Sequence, residues 1–251
     1  MTEKRWGDLG WSSAAGGRQL RRSPDADSGV FVVGDPVPGY AGSGRLNGQR
    51  ALVVGGVMDG AGSGRIAAVA LAKEGAAVAV ADRTGRAGLP GAWPLDHQGQ
   101  QDALLATTRL LGAIGARTLA IHCDLDTEGG CREAVAHTAL EFGAIDTLVV
   151  CANAAAERDG PVDSTAWLVQ AARVFMVAGA SVIVPAPEPR AGSPGPGPAA
   201  ATAGAAPLPA PLAAALRERR IRVGGVAAEH ADAAAVAAEY VSLASAERVR
   251  V

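Results

Sequence analysis

Residues 51–82 read ALVVGGVMDGAGSGRIAAVALAKEGAAVAVAD, and this stretch decides the fold. The short apolar run Ala51-Leu52-Val53-Val54 suits a strand buried on both faces. Gly55 to Gly64 form a glycine-rich loop. Residues 65–74 then carry a helical pattern that stops at Gly75, a residue suited to a left-handed cap. A second apolar run, Ala77 to Ala81, ends on Asp82. Outward from this unit the alternation continues. A helix is expected over 102–114, a strand over Thr118 to Cys123, a helix over 128–142 and a strand over Thr147 to Cys151. A shortened helix is expected around Ala166 to Val177, then a strand at Ser181-Val182-Ile183-Val184. Leu212 to Arg219 reads as a helix, Ile221-Arg222-Val223 as a strand and 231–246 as an Ala-rich helix. Strands and helices joined by short links specify an α/β domain, a doubly wound parallel sheet with helices on both faces.

The loop also carries chemistry. Gly62-Ser63-Gly64-Arg65-Ile66-Ala67 fits G-x-G-x-x-A between a strand and a helix, and Asp82 follows Gly62 by 20 positions. Together these make a dinucleotide-binding fingerprint. Glycines let the backbone approach a pyrophosphate, and the helix start offers free N–H groups and a positive dipole end. Asp82 can accept hydrogen bonds from the adenosine ribose and would repel a 2′-phosphate. That favours NAD over NADP, although Arg83 beside it pulls the other way. The register stays open: Gly56, Gly60 and Gly62 fit G-x-x-x-G-x-G without gaps but shift the helix.

Composition bounds the alternatives. The 251 residues suit one large domain, and 56 of them are Ala, so the core is built from small side chains. A net charge of −2 argues against nucleic acid and anionic membranes. Three Cys imply no disulfide framework and fit a reducing, cytoplasmic setting. No apolar run is long enough for a membrane span, and no apolar leader core precedes the domain. Residues 1–45 show no sustained period and are expected to be a flexible extension, with 46–251 forming the domain. An arm docking Trp6 and Trp11 on a partner is the alternative. Nine of the 15 Pro fall in 185–211, which predicts coil or polyproline II there.

These residues resemble the short-chain dehydrogenase/reductase family. LNGQRALVVGG (46–56), GSGRIAAVALAKEGAAVAVADR (62–83), HCDLD (122–126), EFGAIDTLVVCANAA (141–155) and LAAALRERRIRVGGVAA (212–228) carry the likeness. The resemblance implies a Rossmann-like fold and a nicotinamide dinucleotide as ligand. It also implies Asp124 and Leu125 beside the adenine, and Asn153-Ala154-Ala155 beside the nicotinamide ribose. The long link 84–101 is similar to the insertion of the family's mycofactocin-associated branch.

The family's chemistry needs a Tyr and a Lys four apart on one helix, with a Ser from a preceding strand. This chain has only Tyr40 and Tyr240, and only Lys4 and Lys73. Counting from Ile221-Arg222-Val223, the Tyr and Lys positions fall on Pro198 and Thr202. Counting from the strand at 181–184, the Ser position falls on Pro187. Tyr240, with no cation nearby, is expected to keep an ordinary pKa, and Cys151 reads as a small core residue. His122, Cys123, Cys131 and His137 match no zinc spacing. Three readings follow. The first is a nucleotide-binding relative that has lost hydride chemistry and serves as a silent or structural partner, in a homo- or hetero-oligomer, of an active relative. The second is an active NAD-dependent oxidoreductase using unusual or partner-supplied groups. The third is a decayed gene product.

Overall fold

The computed structural model describes residues 34–57, 62–83, 97–151, 164–186, 208–226 and 232–245. All lie in the unit Phe31–Val251; the other unit, Met1–Val30, falls outside them. Among the described residues twelve elements alternate. They are β1 (Arg50–Val54), α1 (Ser63–Lys73), β2 (Ala77–Arg83), α2 (His97–Ile114), β3 (Thr118–Cys123) and α3 (Glu128–Phe142). Then come β4 (Ile145–Val150), α4 (Ser164–Ala172), β5 (Met176–Pro185), α5 (Ala210–Glu218), β6 (Arg222–Val226) and α6 (Ala233–Ser245).

The six strands form one parallel sheet in the order β3-β2-β1-β4-β5-β6. This is the doubly wound, Rossmann-like α/β architecture expected from the alternation. Side chains alternate across the pleat, so each strand feeds two cores. Ala51 and Val53 of β1 join Val78, Val80 and the apolar faces of α1 and α6 on one side. Leu52 and Val54 join Ala79, Ala81, Leu148, Val150 and the apolar faces of α3 and α4 on the other. Small residues let the layers close. Ala67, Ala68, Ala70 and Val69 of α1 are all fully buried, so this helix is apolar almost all round.

Two expectations need correction. The helix expected to reach Val177 stops at Ala172, and Met176 already begins β5. Val174, Phe175, Met176 and Val177 are β-branched, aromatic or flexible residues that fit a strand better than a helix. The pairing with β4 then shifts register between Ile145 and Thr147, where Gly179 takes a left-handed φ of 86°. The second correction concerns the extension. Its last residues, from Gly34, do not lie outside the fold: Val37 is buried in the core beside α1. The strand suggested at 30–33 and the Pro-rich stretch 187–207 lie outside the described residues.

Candidate functional site

In a parallel sheet with this strand order, β1 and β4 are neighbours whose crossovers leave on opposite faces. In sheets of this order the ligand crevice lies beyond such carboxyl ends. The first turn of α1 sits there. Gly62 is its N-cap, with extended φ and ψ of −60° and 146°, and Ser63 and Gly64 begin the helix. The helix therefore starts in the Gly62-Ser63-Gly64 register. Two approaches hold this geometry. A Cβ on Gly64 would lie 2.0 Å from the Gly55 carbonyl oxygen. A Cβ on Gly56, whose φ is 68°, would lie 2.9 Å from both the Gly64 nitrogen and the Cys151 Cβ. Only glycine permits strand, turn and helix to come this close. The Arg65 N–H reaches back to the Gly56 and Gly62 carbonyls at 3.3 and 3.0 Å. The N–H groups that open a helix have no intrahelical acceptor. The first turn therefore aims donors and the positive dipole end into the crevice.

Asp82 closes β2 on the same edge of the sheet. Its side chain is almost wholly buried, and Oδ2 accepts the Val57 N–H at 3.1 Å. The carboxylate thus stands beside the strand β1 exit, next to the glycine turn. Arg83 is the last residue of β2, paired in register with Cys123. Asp124 and Leu125 follow β3. Leu125 is buried and Asp124 is exposed, its Oδ1 accepting the Asp126 N–H at 3.0 Å. Gly130 packs against this turn: a Cβ there would lie 2.0 Å from the Asp124 carbonyl oxygen. Gly56, Gly62, Ser63, Gly64, Asp82, Asp124 and Leu125 therefore share one edge of the sheet. Gly60, Asn153 and Ala154 lie outside the described residues, as do Pro187, Pro198 and Thr202. The donors of the first turn and the closely approached backbone fit a pyrophosphate; Asp82 fits a ribose hydroxyl.

The described Tyr and Lys are placed elsewhere or occupied; Lys4 lies outside the described residues. Tyr40 and Lys73 do meet, but at the far end of α1. Lys73 Nζ donates to Asp35 Oδ2, the Val37 carbonyl and the Tyr40 carbonyl at 2.7, 2.7 and 2.9 Å. The Tyr40 hydroxyl donates to Glu74 Oε1 at 2.5 Å. α1 has 11 residues, so this cluster lies about 16 Å from the glycine turn at the helical rise. Tyr240 is buried on α6, 3.9 Å from Cys151 Sγ. Burial pushes its phenol well above the ordinary range rather than leaving it there. Burial likewise pushes the Cys151 thiol up to about 11, which keeps it protonated and un-nucleophilic at neutral pH. Among the described residues, no group of three or more His, Cys, Asp or Glu could hold a metal ion. No described helix is long and apolar enough to cross a membrane.

The sequence reading missed a buried carboxylate. Glu74 is fully inaccessible, at 0 % exposure, where α1 ends. Its Oε2 accepts the Ser43 N–H, Ser43 hydroxyl and Arg45 N–H at 2.9, 3.1 and 3.0 Å. Its Oε1 accepts Tyr40 and Arg45 Nη2, the latter at 3.0 Å. Burial alone would raise this carboxyl, but the hydrogen bonds from Tyr40, Arg45 and Ser43 outweigh it and hold the pKa at about 2. The segment 34–46 is thereby strapped along α1, from the Arg65 guanidinium on the Gly34 carbonyl to Glu74. No local pattern marks Glu74, because its partners lie about thirty residues upstream.

No protein-family model matches the sequence. Two proteins of Bacillus subtilis (strain 168) are similar to part of it. The uncharacterized oxidoreductase YhxD is 33% identical over 168 residues, 59% of this chain and 50% of that protein. The uncharacterized oxidoreductase YhdF is 33% identical over 145 residues, 56% and 43% respectively. The chain thus matches about half the length of these curated relatives or less. Among solved structures, a short chain dehydrogenase from Mycobacterium smegmatis superposes with a TM-score of 0.56 at 20% identity, covering 82% of this chain and 89% of that one. A short-chain dehydrogenase/reductase from Serratia marcescens BCRC 10948 gives 0.53 at 22%, covering 80% and 91%. A short chain dehydrogenase from Burkholderia cenocepacia J2315, solved with NADP, gives 0.50 at 22%, also covering 80% and 91%. At these identities the likeness establishes the fold.

Proposed function

We propose that this chain is a member of the short-chain dehydrogenase/reductase family that binds NAD at the glycine turn and has lost the family's hydride chemistry. The observation that carries the binding half is the glycine approach at the carboxyl end of β1. A helix starts at Gly62 within van der Waals contact of the β1 exit, and a buried Asp82 stands beside it. Asp82 disfavours a 2′-phosphate by charge, which supports NAD over NADP. The Burkholderia structure holds NADP, so a dinucleotide is the ligand class to test. The chemical half rests on composition. With Tyr40 and Lys73 committed at the wrong end of α1 and Tyr240 buried with a raised pKa, no described Tyr can relay a proton to a substrate in the crevice. The role proposed is that of a silent or structural partner of an active relative.

NAD is expected to raise the melting temperature of the purified protein, and Asp82→Ala to abolish that rise. No alcohol or ketone should change the nicotinamide absorbance. Turnover by the purified chain would overturn the silent role. It would favour a second reading, an active oxidoreductase, which the names of the two Bacillus relatives support.

A further inference from the structure

At the amino ends of β5 and β6, two segments lie side by side. Residues 173–179 lead into β5 and residues 217–221 leave α5 for β6. The Gly179 N–H donates to the Arg220 carbonyl at 2.9 Å, and Arg219 Nη2 donates to the Met176 carbonyl at 3.4 Å. Val174, Phe175 and Val177 are 59%, 40% and 44% exposed, three of the five exposed large apolar side chains among the described residues, so exposed apolar surface concentrates here. Arg217, Arg219 and Arg220 are exposed beside them, and Glu218 is the one carboxylate of that turn. None of the three arginines makes an ion pair with a described residue. The turn itself is strained. α5 ends as α1 and α2 do, with the N–H of the left-handed residue and of its successor reaching carbonyls three and five residues earlier. That left-handed residue is Gly75 after α1 and Gly115 after α2, but Arg220 after α5, with φ of 57°. Among the described residues Arg220 is the only non-glycine with positive φ. A Cβ is disfavoured there. No side-chain hydrogen bond or ion pair to a described residue offsets that strain.

We propose that this surface docks an acidic, apolar segment of a partner protein. Its carboxylates would meet Arg217, Arg219 and Arg220, and its apolar side chains Val174, Phe175 and Val177. The positive sign of the turn selects an acidic occupant. The planar guanidinium pairs with a carboxylate through two parallel hydrogen bonds. Arginine and aromatic residues are also the ones that protein interfaces concentrate. A protein segment suits the surface better than a bilayer does. Phe175 and Val177 are less than half exposed, so they can meet a side chain but do not stand far enough out to insert among acyl chains. The net charge of −2 also opposes an anionic membrane. The surface lies at the opposite end of the parallel sheet from the glycine turn, so docking there does not require the nucleotide site.

The test measures binding of a short labelled peptide of mixed Glu and Leu to the full chain by fluorescence anisotropy, with a peptide carrying Gln for every Glu as control. The Glu peptide should bind, more weakly as salt rises, and the Gln peptide should not. Arg220→Gly removes one charged hydrogen-bonding group and should weaken binding about tenfold. Val174→Ser, at the most exposed of the apolar residues, should weaken it about threefold. Arg220→Gly also frees the turn of its Cβ and should raise Tm by about 2–4 °C. Binding and folding then move in opposite directions, which a merely structural Arg220 would not produce. No binding of the Glu peptide to the unaltered chain, equal binding of the Gln peptide, or unchanged affinity in Arg220→Gly would overturn the proposal. So would a fall in Tm for Arg220→Gly, which would make Arg220 a residue of the fold. Binding to phosphatidylserine vesicles, or a dimer in sedimentation, that Arg220→Gly abolishes and the Glu peptide does not compete with would overturn it in favour of a lipid surface or a second copy.

Discussion

Glu74→Gln tests how the segment before β1 is held. Both carboxylate oxygens of Glu74 face donors only: Ser43 N–H, Ser43 hydroxyl and Arg45 N–H on Oε2, Tyr40 hydroxyl and Arg45 guanidinium on Oε1. An amide must turn its NH2 toward one of these sets. At least one buried donor then loses its acceptor, and the Arg45 charge loses its partner. Breaking such a pair from one side costs about 3 kcal/mol. The pKa gives a second route to the same size. A drop from 4.5 to about 2 corresponds to about 3 kcal/mol, reduced toward 2 because Arg45 is half exposed. At 2–4 °C per kcal/mol for a domain of this size, Tm at pH 7 should fall by about 5–10 °C. The folded-state pKa lies below the unfolded value, so this stabilisation is complete above about pH 4.5 and is lost as pH falls toward 2. The gap between the variant and the unaltered protein should close over that window. Thermal unfolding followed by circular dichroism at several pH values measures it. A Gln variant melting within a degree of the original at pH 7, or a gap that stays constant down to pH 2.5, would refute the reasoning.

Gly64→Ala should be severely destabilising, by about 3 kcal/mol or more, because the new Cβ would meet the Gly55 carbonyl at 2.0 Å; a normal denaturant midpoint would contradict the close approach. Asp146→Ala should cost about 3 kcal/mol in urea unfolding, since it strands Arg50, whose Nε lies 2.8 Å from the fully buried Asp146 Oδ2. The thiols of Cys123, Cys131 and Cys151 are all buried and pushed up to about 12, 11 and 11, so a disulfide reagent at pH 8 should label them only on unfolding. Rapid reaction of any one in the native protein would show that its pocket opens.

The alternation of apolar runs, glycines and helical patterns settled the element order by itself. The spans 118–123 and 128–142 read from the sequence coincide with β3 and α3. The glycine turn and Asp82 were legible too, because a short βα link keeps chemistry and sequence spacing in step. Tertiary structure alone decided the register of the turn, since two glycine spacings fit and only the approach of Gly64 to the Gly55 carbonyl distinguishes them. It also decided that part of the expected loose extension is a strap on Glu74, and that Tyr240 stands 3.9 Å from Cys151, 89 positions away. Local patterning encodes which face of an element is apolar, because that depends on neighbours three or four residues along. A buried polar group gains its meaning from a partner that the chain brings up from far away, and one-dimensional periodicity carries no record of that meeting.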